Sequence, residues 1–288
     1  MFQKIKKILS IRIDKRWFRK LAIILVVLAA VITIANEAYY WIGDDYDYYS
    51  EDFVGSDEDL YSGSCNVAGI MIRGDIVTYL DEDSEYLQTS SEDVDYLVNE
   101  AEYKENVKAI LIEIDSYGGY PVAAEEIATV LKLSSKPVVA LIREGGLSAA
   151  YWIATAADRI FASAGSDVGS IGITMSYLDY ANQNQTDGLT YNQLSAGKFK
   201  DYGDPNKPLT YEERQLLMRD VNILHEIFIK TVATNRNLDI EVVRKLADGS
   251  SMLGEMALEN GLIDEIGGQY DVDVYIGNLI EEEVEVCW

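Results

Sequence analysis

From Asn66 onward the chain alternates short apolar runs with longer amphipathic stretches. Val67-Ala-Gly-Ile-Met-Ile-Arg-Gly-Asp-Ile76, Val107-Lys-Ala-Ile-Leu-Ile-Glu-Ile114 and Pro137-Val-Val-Ala-Leu-Ile142 read as strands, whereas 92–101 and 122–133 read as helices. Strand, glycine turn, helix and strand again is the grammar of a mostly parallel sheet, whose active sites lie at the carboxyl ends of strands. Both glycine pairs fall there. The second run stops at Asp115-Ser-Tyr-Gly-Gly-Tyr-Pro121, and the third leads into Arg143-Glu-Gly-Gly-Leu-Ser148 ahead of an alanine-rich helix. Segments 158–162 and 171–175 read as further strands, joined by a turn over 165–172. From Thr210 the pattern is helical: Thr210-Tyr-Glu-Glu213 is a capping box, and Leu216, Leu217, Val221, Leu224, Ile227 and Phe228 recur at helical spacing. Helices follow around 239–247 and 254–260, and 262–268 closes the unit.

The first 60 residues follow a different pattern. Residues 21–35 carry no charge, Trp17-Phe18 and Tyr39-Tyr40-Trp41 flank them, and eight of the chain's 24 bases but one of its 49 acids (Asp14) lie in the first 20 residues. A basic head, an apolar run and aromatic flanks read as one transmembrane helix (21–42) with its N-terminus cytoplasmic (1–20) and the body extracytoplasmic. A cleaved signal peptide is the rival, since Thr33-Ile-Ala35 offers a small-residue cleavage site. Either reading exports the body. Segment 43–64, acidic and rich in tyrosine, reads as a solvated linker. The polyanionic body excludes nucleic acid as a partner, because phosphate contacts need clustered Lys and Arg. Cys65 and Cys287, the only cysteines, stand near the two ends of the body; pairing in an oxidising compartment and two unpaired small residues are both open readings.

The residue inventory narrows the chemistry. His225 is the only histidine and sits within a helical pattern beside Leu224 and Ile227, so a Ser-His-Asp triad would rest on a residue that reads as packed into a helix. Histidine-cysteine zinc sites lack ligands, no calcium loop is present, and no cofactor fingerprint appears, so neither a metal nor a cofactor is expected. A carboxylate pair of the glycosidase kind is not testable by spacing. If Ser148 is a nucleophile, the remaining base is a lysine made neutral by its surroundings. The conspicuous pair is Lys198 and Lys200 in Ser195-Ala-Gly-Lys-Phe-Lys-Asp201; if this piece is extended, both point to one side. Two solvent-facing lysines on an edge strand is the plain alternative. Gly118-Gly119 and the N–H of Ala149 are candidate oxyanion donors.

In this order, the pieces resemble the signal peptide peptidase A (SppA) family of membrane-anchored serine peptidases, related in fold to the Clp protease and crotonase group. Ser148-Ala-Ala-Tyr-Trp-Ile-Ala-Thr-Ala-Ala-Asp-Arg-Ile160 is similar to that family's nucleophile segment, Ser116-Tyr-Gly-Gly119 to its oxyanion turn, Gly169-Ser-Ile-Gly172 to its Gly-Ser-(Ile/Leu)-Gly turn, and Gly197-Lys-Phe-Lys200 to its lysine segment. The resemblance covers about 67–268. It implies Ser148 as nucleophile, Lys200 rather than Lys198 as general base, Gly119 and Ala149 as oxyanion donors, and Ser170 as the residue that orients the lysine. It also implies peptide substrates such as signal peptide remnants, and a homo-oligomer in which the lysine comes from the same chain or a neighbour. Two departures stand out. Ala149-Ala150 replaces Gly-Gly, which would narrow the substrate space if those residues line it, and Tyr117 replaces proline.

The expected fold is therefore α/β, a Clp protease/crotonase-like mostly parallel sheet with flanking helices. One N-terminal transmembrane helix precedes a catalytic core at 65–200 and a helical C-terminal part at 201–288. The expected function is a Ser/Lys endopeptidase. A catalytically inactive membrane scaffold of the same fold is the alternative, and crotonase-type thioester chemistry is a third reading, disfavoured by the N-terminus.

Overall fold

The computed structural model describes residues 60–288 apart from Ser62, together with Leu25, Leu28, Val31 and Thr33, which are helical. The basic head, most of the expected 21–42 anchor and most of the acidic linker lie outside the described residues. Among the described residues, no helix is long and apolar enough to cross a membrane.

The body is built on parallel strands β1 (Val67–Val77), β2 (Gln88–Ser90), β3 (Ala109–Gly119), β4 (Val138–Leu147) and β5 (Arg159–Ala162), with helices α1 (Ser91–Tyr103) and α2 (Pro121–Leu133) in the crossovers. Strand order is β2-β1-β3-β4-β5, extended at one edge by β8 (Glu265–Ile266). The three central strands are apolar on both sides because both sides are covered. Ile70, Ile72, Ile110, Ile112, Ile114, Ala140 and Ile142 face the main core. Val67, Ala109, Leu111, Val139, Leu141 and Phe161 face a second one.

Beyond β4, helix α3 (Ala149–Ala154) leads to β5, and β6 (Asp167–Gly169) pairs with the end of β4. Then come α4 (Ala181–Thr186), the long α5 (Tyr211–Asn235), α6 (Ile240–Leu246), β7 (Ser251–Leu253) and α7 (Gly254–Glu259). Phe228, Ile229, Val232 and Ala233 of α5 are buried in the main core.

Three expectations need correction. The second and third strands do not stop at Asp115 and Ile142 but continue through their glycine pairs, with register shifts that absorb the bends. Segment 171–175 is not a strand: β6 lies inside the expected 165–172 turn, because Asp167–Gly169 finds partners in Gly145–Leu147 and in β7. Ser170, at φ 50, then turns the chain out of the sheet. Nor does 262–268 close the unit. Helix α8 (Gln269–Ile280) follows, started by Gly268 N–H donating to Asp271 Oδ2 at 2.8 Å, and lays Val272 and Ile276 on the second core. Strand β9 (Val286–Cys287) then pairs with the start of β1.

Of the two readings of the cysteines, the structure shows the bond: Cys65 and Cys287 form a disulfide across 222 residues, with Cα atoms 5.7 Å apart. So long a loop is costly to close in the unfolded chain. Replacing both cysteines by serine should lower the unfolding free energy by about 2–5 kcal/mol. Denaturant titration of the full chain checks this, and an unchanged midpoint would show that the bridge constrains nothing.

Candidate active site

Strand β4 does not run straight into α3. Ile142 pairs with Ile114 and Gly146 with Ser116, so four residues of β4 span what two residues of β3 span. This bulge is pinned from three sides. Arg143 reaches Glu113 Oε2 at 2.5 Å, Gly145 N–H donates to Asp115 Oδ1 at 3.2 Å, and the Ser166 hydroxyl donates to the Arg143 carbonyl. At its end Ser148 has φ 52 and ψ −121, a conformation L residues rarely adopt. The strain is held by neighbours on both sides: Ser148 N–H donates to Gly169 O at 2.8 Å, and Trp152 N–H to Ser148 O at 2.9 Å.

Every residue of α3 is buried. Tyr151 donates its hydroxyl to Leu262 O at 2.8 Å, and burial holds that phenol well above its usual pKa, so it stays a donor. Trp152 stacks on Phe228 with ring centroids 4.9 Å apart. The half-buried Ser148 side chain makes no capping bond.

The end of β3 faces this serine. Gly118, at φ +121, lies so close that a Cβ there would stand 2.9 Å from Ser148 Cβ and 3.3 Å from Ala149 N. Gly119 presses on β1, where a Cβ would fall 2.1 Å from Ile76 O. Only glycine fits at either place. Gly118 N–H is taken by Ser116 Oγ at 3.1 Å, which leaves Gly119 as the candidate donor of the pair. Ser148, Ala149 and Gly118 thus meet at one point, with Gly119 next in the chain and packed on Ile76.

Ser170 joins this group through its neighbour Gly169, which holds Ser148 N–H; its own hydroxyl donates to Gly249 O at 3.0 Å. Lys200 is placed differently. Segment 195–201 is a turn rather than the extended piece considered above, closed by Lys200 N–H donating to Gly197 O at 3.2 Å. The correction follows from Gly197, at φ +99, which a strand does not accommodate. Lys198 pairs with Glu212 at 2.5 Å and lies over Phe199, whereas Lys200 is exposed and takes part in no ion pair among the described residues. His225 is half-buried on α5, its Nε2 buried without a hydrogen-bond partner among the described residues. Ala149 and Ala150 are 4% and 0% exposed, so their methyl groups fill the core and do not narrow a substrate space.

The pins Glu113, Asp115, Ser116 and Ser166 carry no role in the sequence reading. Glu113 alone left a signal there, a single acid inside Ile110-Leu-Ile-Glu-Ile114.

A serine on a strained strand-to-helix turn, faced by a glycine pair ending the adjacent parallel strand, is the arrangement of an acyl-transfer site. The model of peptidase family S49 matches residues 131–276. The chain is 32% identical to the candidate protease MJ0651 of Methanocaldococcus jannaschii, over 75% of this chain and 71% of that one. It is 35% identical to a candidate signal peptide peptidase SppA of Enterococcus faecium, over 57% of this chain and 49% of that one. With the chloroplastic serine protease SPPA of Arabidopsis thaliana it shares 30% identity, over 56% of this chain and 24% of the plant protein. The chain belongs to peptidase family S49.

The junction that carries the Lys200 segment into α5 is built on Glu213. Its carboxylate pairs with Lys207 and accepts from Thr210 N–H at 2.9 Å, while Glu213 N–H donates to Thr210 Oγ1 at 3.3 Å, which completes the capping box. Lys207, then the Thr210 N–H, pull the Glu213 pKa down from 4.5 to about 2. A carboxylate with a depressed folded-state pKa stabilises fully above its unfolded value and loses that contribution as pH falls through the folded one. Between pH 4.5 and 2, wild-type stability should therefore fall more steeply than that of Glu213→Gln. Thermal unfolding across that range reads it, and parallel curves would remove Glu213 from the account.

Proposed function

We propose that this chain is an extracytoplasmic, membrane-anchored serine endopeptidase with a Ser148–Lys200 dyad. Its proposed substrates are unfolded peptides, among them signal peptide remnants. The observation that carries the reading is Ser148 itself: strained, half-buried and faced by Gly118, the first of the Gly118-Gly119 pair, which also approaches Ala149 N.

In the proposed reaction Ser148 Oγ attacks the scissile carbonyl carbon and gives its proton to a neutral lysine Nζ. The carbonyl oxygen, now negative, is held by the N–H groups of Gly119 and Ala149, which need no reorganisation because strand and helix fix them. The lysine returns the proton to the leaving amine, an acyl-enzyme remains, and water deacylates it by the same route. Ser170 keeps acceptor capacity on its hydroxyl for the lysine, as a hydroxyl that donates once still has lone pairs.

The exposed position of Lys200, without an ion pair among the described residues, favours a base supplied by a neighbouring copy. Its surroundings favour this too, since Met175, Leu178, Leu189 and Leu194 are all more than half exposed on the same segment. Export is favoured by the Cys65–Cys287 bond, which persists in oxidising compartments, and by the basic head before an apolar run.

Ser148→Ala and Lys200→Ala should each lower cleavage of an exported peptide by about a thousandfold or more while the protein stays folded. Full activity in either variant would sink the dyad. Mixing the two inactive variants before assembly should restore about a quarter of wild-type activity if each lysine serves a neighbour, as random 1:1 pairing requires. No recovery would place the lysine in its own chain.

A further inference from the structure

Ser116 lies on β3 two residues before Gly118, 1% exposed, in a position where a hydroxyl has little reason to be unless something uses it. Its Oγ stands 2.6 Å from Gly74 O and 3.1 Å from Gly118 N. A hydroxyl has one proton and spare lone pairs. The proton goes to the Gly74 carbonyl and the Gly118 N–H is accepted, so one side chain satisfies a part-buried acceptor and a buried donor of different strands.

Both partners sit at irregularities. The β1–β3 register shifts between Arg73 and Asp75, where Gly74 lies, and the β3–β4 register shifts between Ile114 and Ser116. Opposite Ser116 on β4 is Gly146, two residues before the nucleophile. The hydroxyl therefore stands at the β1–β3 register shift, bonded to the Gly118 N–H, and Gly118 leaves no room for a Cβ beside Ser148. Rotation of the peptide between Tyr117 and Gly118 would break the bond to Ser116 and disturb the pairing of Gly118 with Asp75 of β1.

We propose that Ser116 is a positioning residue for the oxyanion donor: by fixing the Gly118 N–H beneath the turn, it sets the direction of the Gly119 N–H toward the carbonyl oxygen attacked by Ser148. This rests on the reading of Ser148 as the nucleophile. A peg that only stabilises the fold would change the melting temperature and leave turnover of the folded enzyme intact. A peg that aims an oxyanion donor acts in the transition state, so it changes kcat and leaves KM.

The experiment uses the full chain in its membrane or detergent form, a fluorogenic peptide of apolar residues as substrate, and a peptide aldehyde as probe. The aldehyde takes Ser148 Oγ onto its carbonyl carbon, the carbonyl oxygen becomes the oxyanion, and the serine proton passes to the lysine. Its affinity therefore reports the oxyanion donors directly. Ser116→Ala is expected to lose about 10- to 100-fold in kcat with KM within about twofold, and to bind the aldehyde more weakly by the same factor. Ser116→Cys keeps the volume but accepts poorly; it should show the same split, and it carries the test if the alanine variant does not fold. Wild-type kcat and aldehyde affinity in a folded variant, with only a lower melting temperature, would overturn the role. If Ser148→Ala cleaves as fast as wild type, the nucleophile reading itself has failed; if that variant is inactive and Ser116→Ala is normal, only the positioning role has.

Discussion

The structure depends on one constraint: β1, β3 and β4 pack their main-core face and their first residues inside the protein, so where they leave the regular ladder the backbone groups on that buried side must find partners there. They leave it together, at Arg73/Asp75, Ile114/Ser116 and Arg143–Gly146. Side chains supply what the ladder no longer does. Ser116 serves Gly74 and Gly118, Asp115 serves Gly145, and Ser166 serves Arg143. Glu113, 5% exposed, adds a charge bridge from Arg73 at 2.6 Å to Arg143 at 2.5 Å, tying the two flanking strands through the middle one. A buried carboxylate is tolerable with two guanidinium partners and costly with neither. Ser148 is held in its strained conformation because the bulge beneath it cannot relax.

The two halves of the proposed dyad stand on unlike foundations. Ser148 is fixed by the sheet, by Gly169 and by a fully buried helix. Lys200 sits on a stretch between β6 and α5 on which Met175, Leu178, Leu189 and Leu194 face solvent, Leu194 at 98% exposure being the extreme. Only the C-terminal part of α5 reaches the core; Leu216, Leu217, Val221 and Leu224 are half-exposed. Their helical spacing is real, but the surface it would bury is not supplied by the rest of the described chain. In the proposed assembly a neighbouring copy would supply it and fix the lysine at the same time, so the proposed base would be the part of the site most sensitive to concentration.

Most of the strand framework was legible because its strands are continuous apolar runs ended by glycine, and the capping box placed α5 to the residue. Segment 171–175 misled because Ile171-Gly-Ile-Thr-Met175 has the composition of a strand, yet among the described residues it pairs with no strand. Helix α8 was hidden by Val272, Val274 and Ile276, which alternate like a strand; the i, i+4 pair Val272 and Ile276 decides, since those two meet the second core. The serine and the glycine pair were legible through chemistry and order. Their pins were not, because a serine or aspartate after a strand is ordinary turn composition and its use depends on neighbours distant in sequence.

The two alanines after Ser148 show how packing constrains the site from behind. Ala149, Ala150 and Ala154 of α3 and Ala123, Ala124 and Ala128 of α2 are all buried in the main core, and the two helices pack on each other. Small side chains on both let the helices come close, which brings the first turn of α3 down to the carboxyl end of β3. A larger residue at 149 or 150 would meet this packing before it met any substrate, and would push the Ala149 N–H away from Gly118. Alanine in place of glycine adds a methyl group that the core already encloses, and it removes the backbone freedom glycine would bring to the first turn of a six-residue helix. The departure at 149–150 thus stiffens the element that holds Ser148, with both methyl groups inside the core.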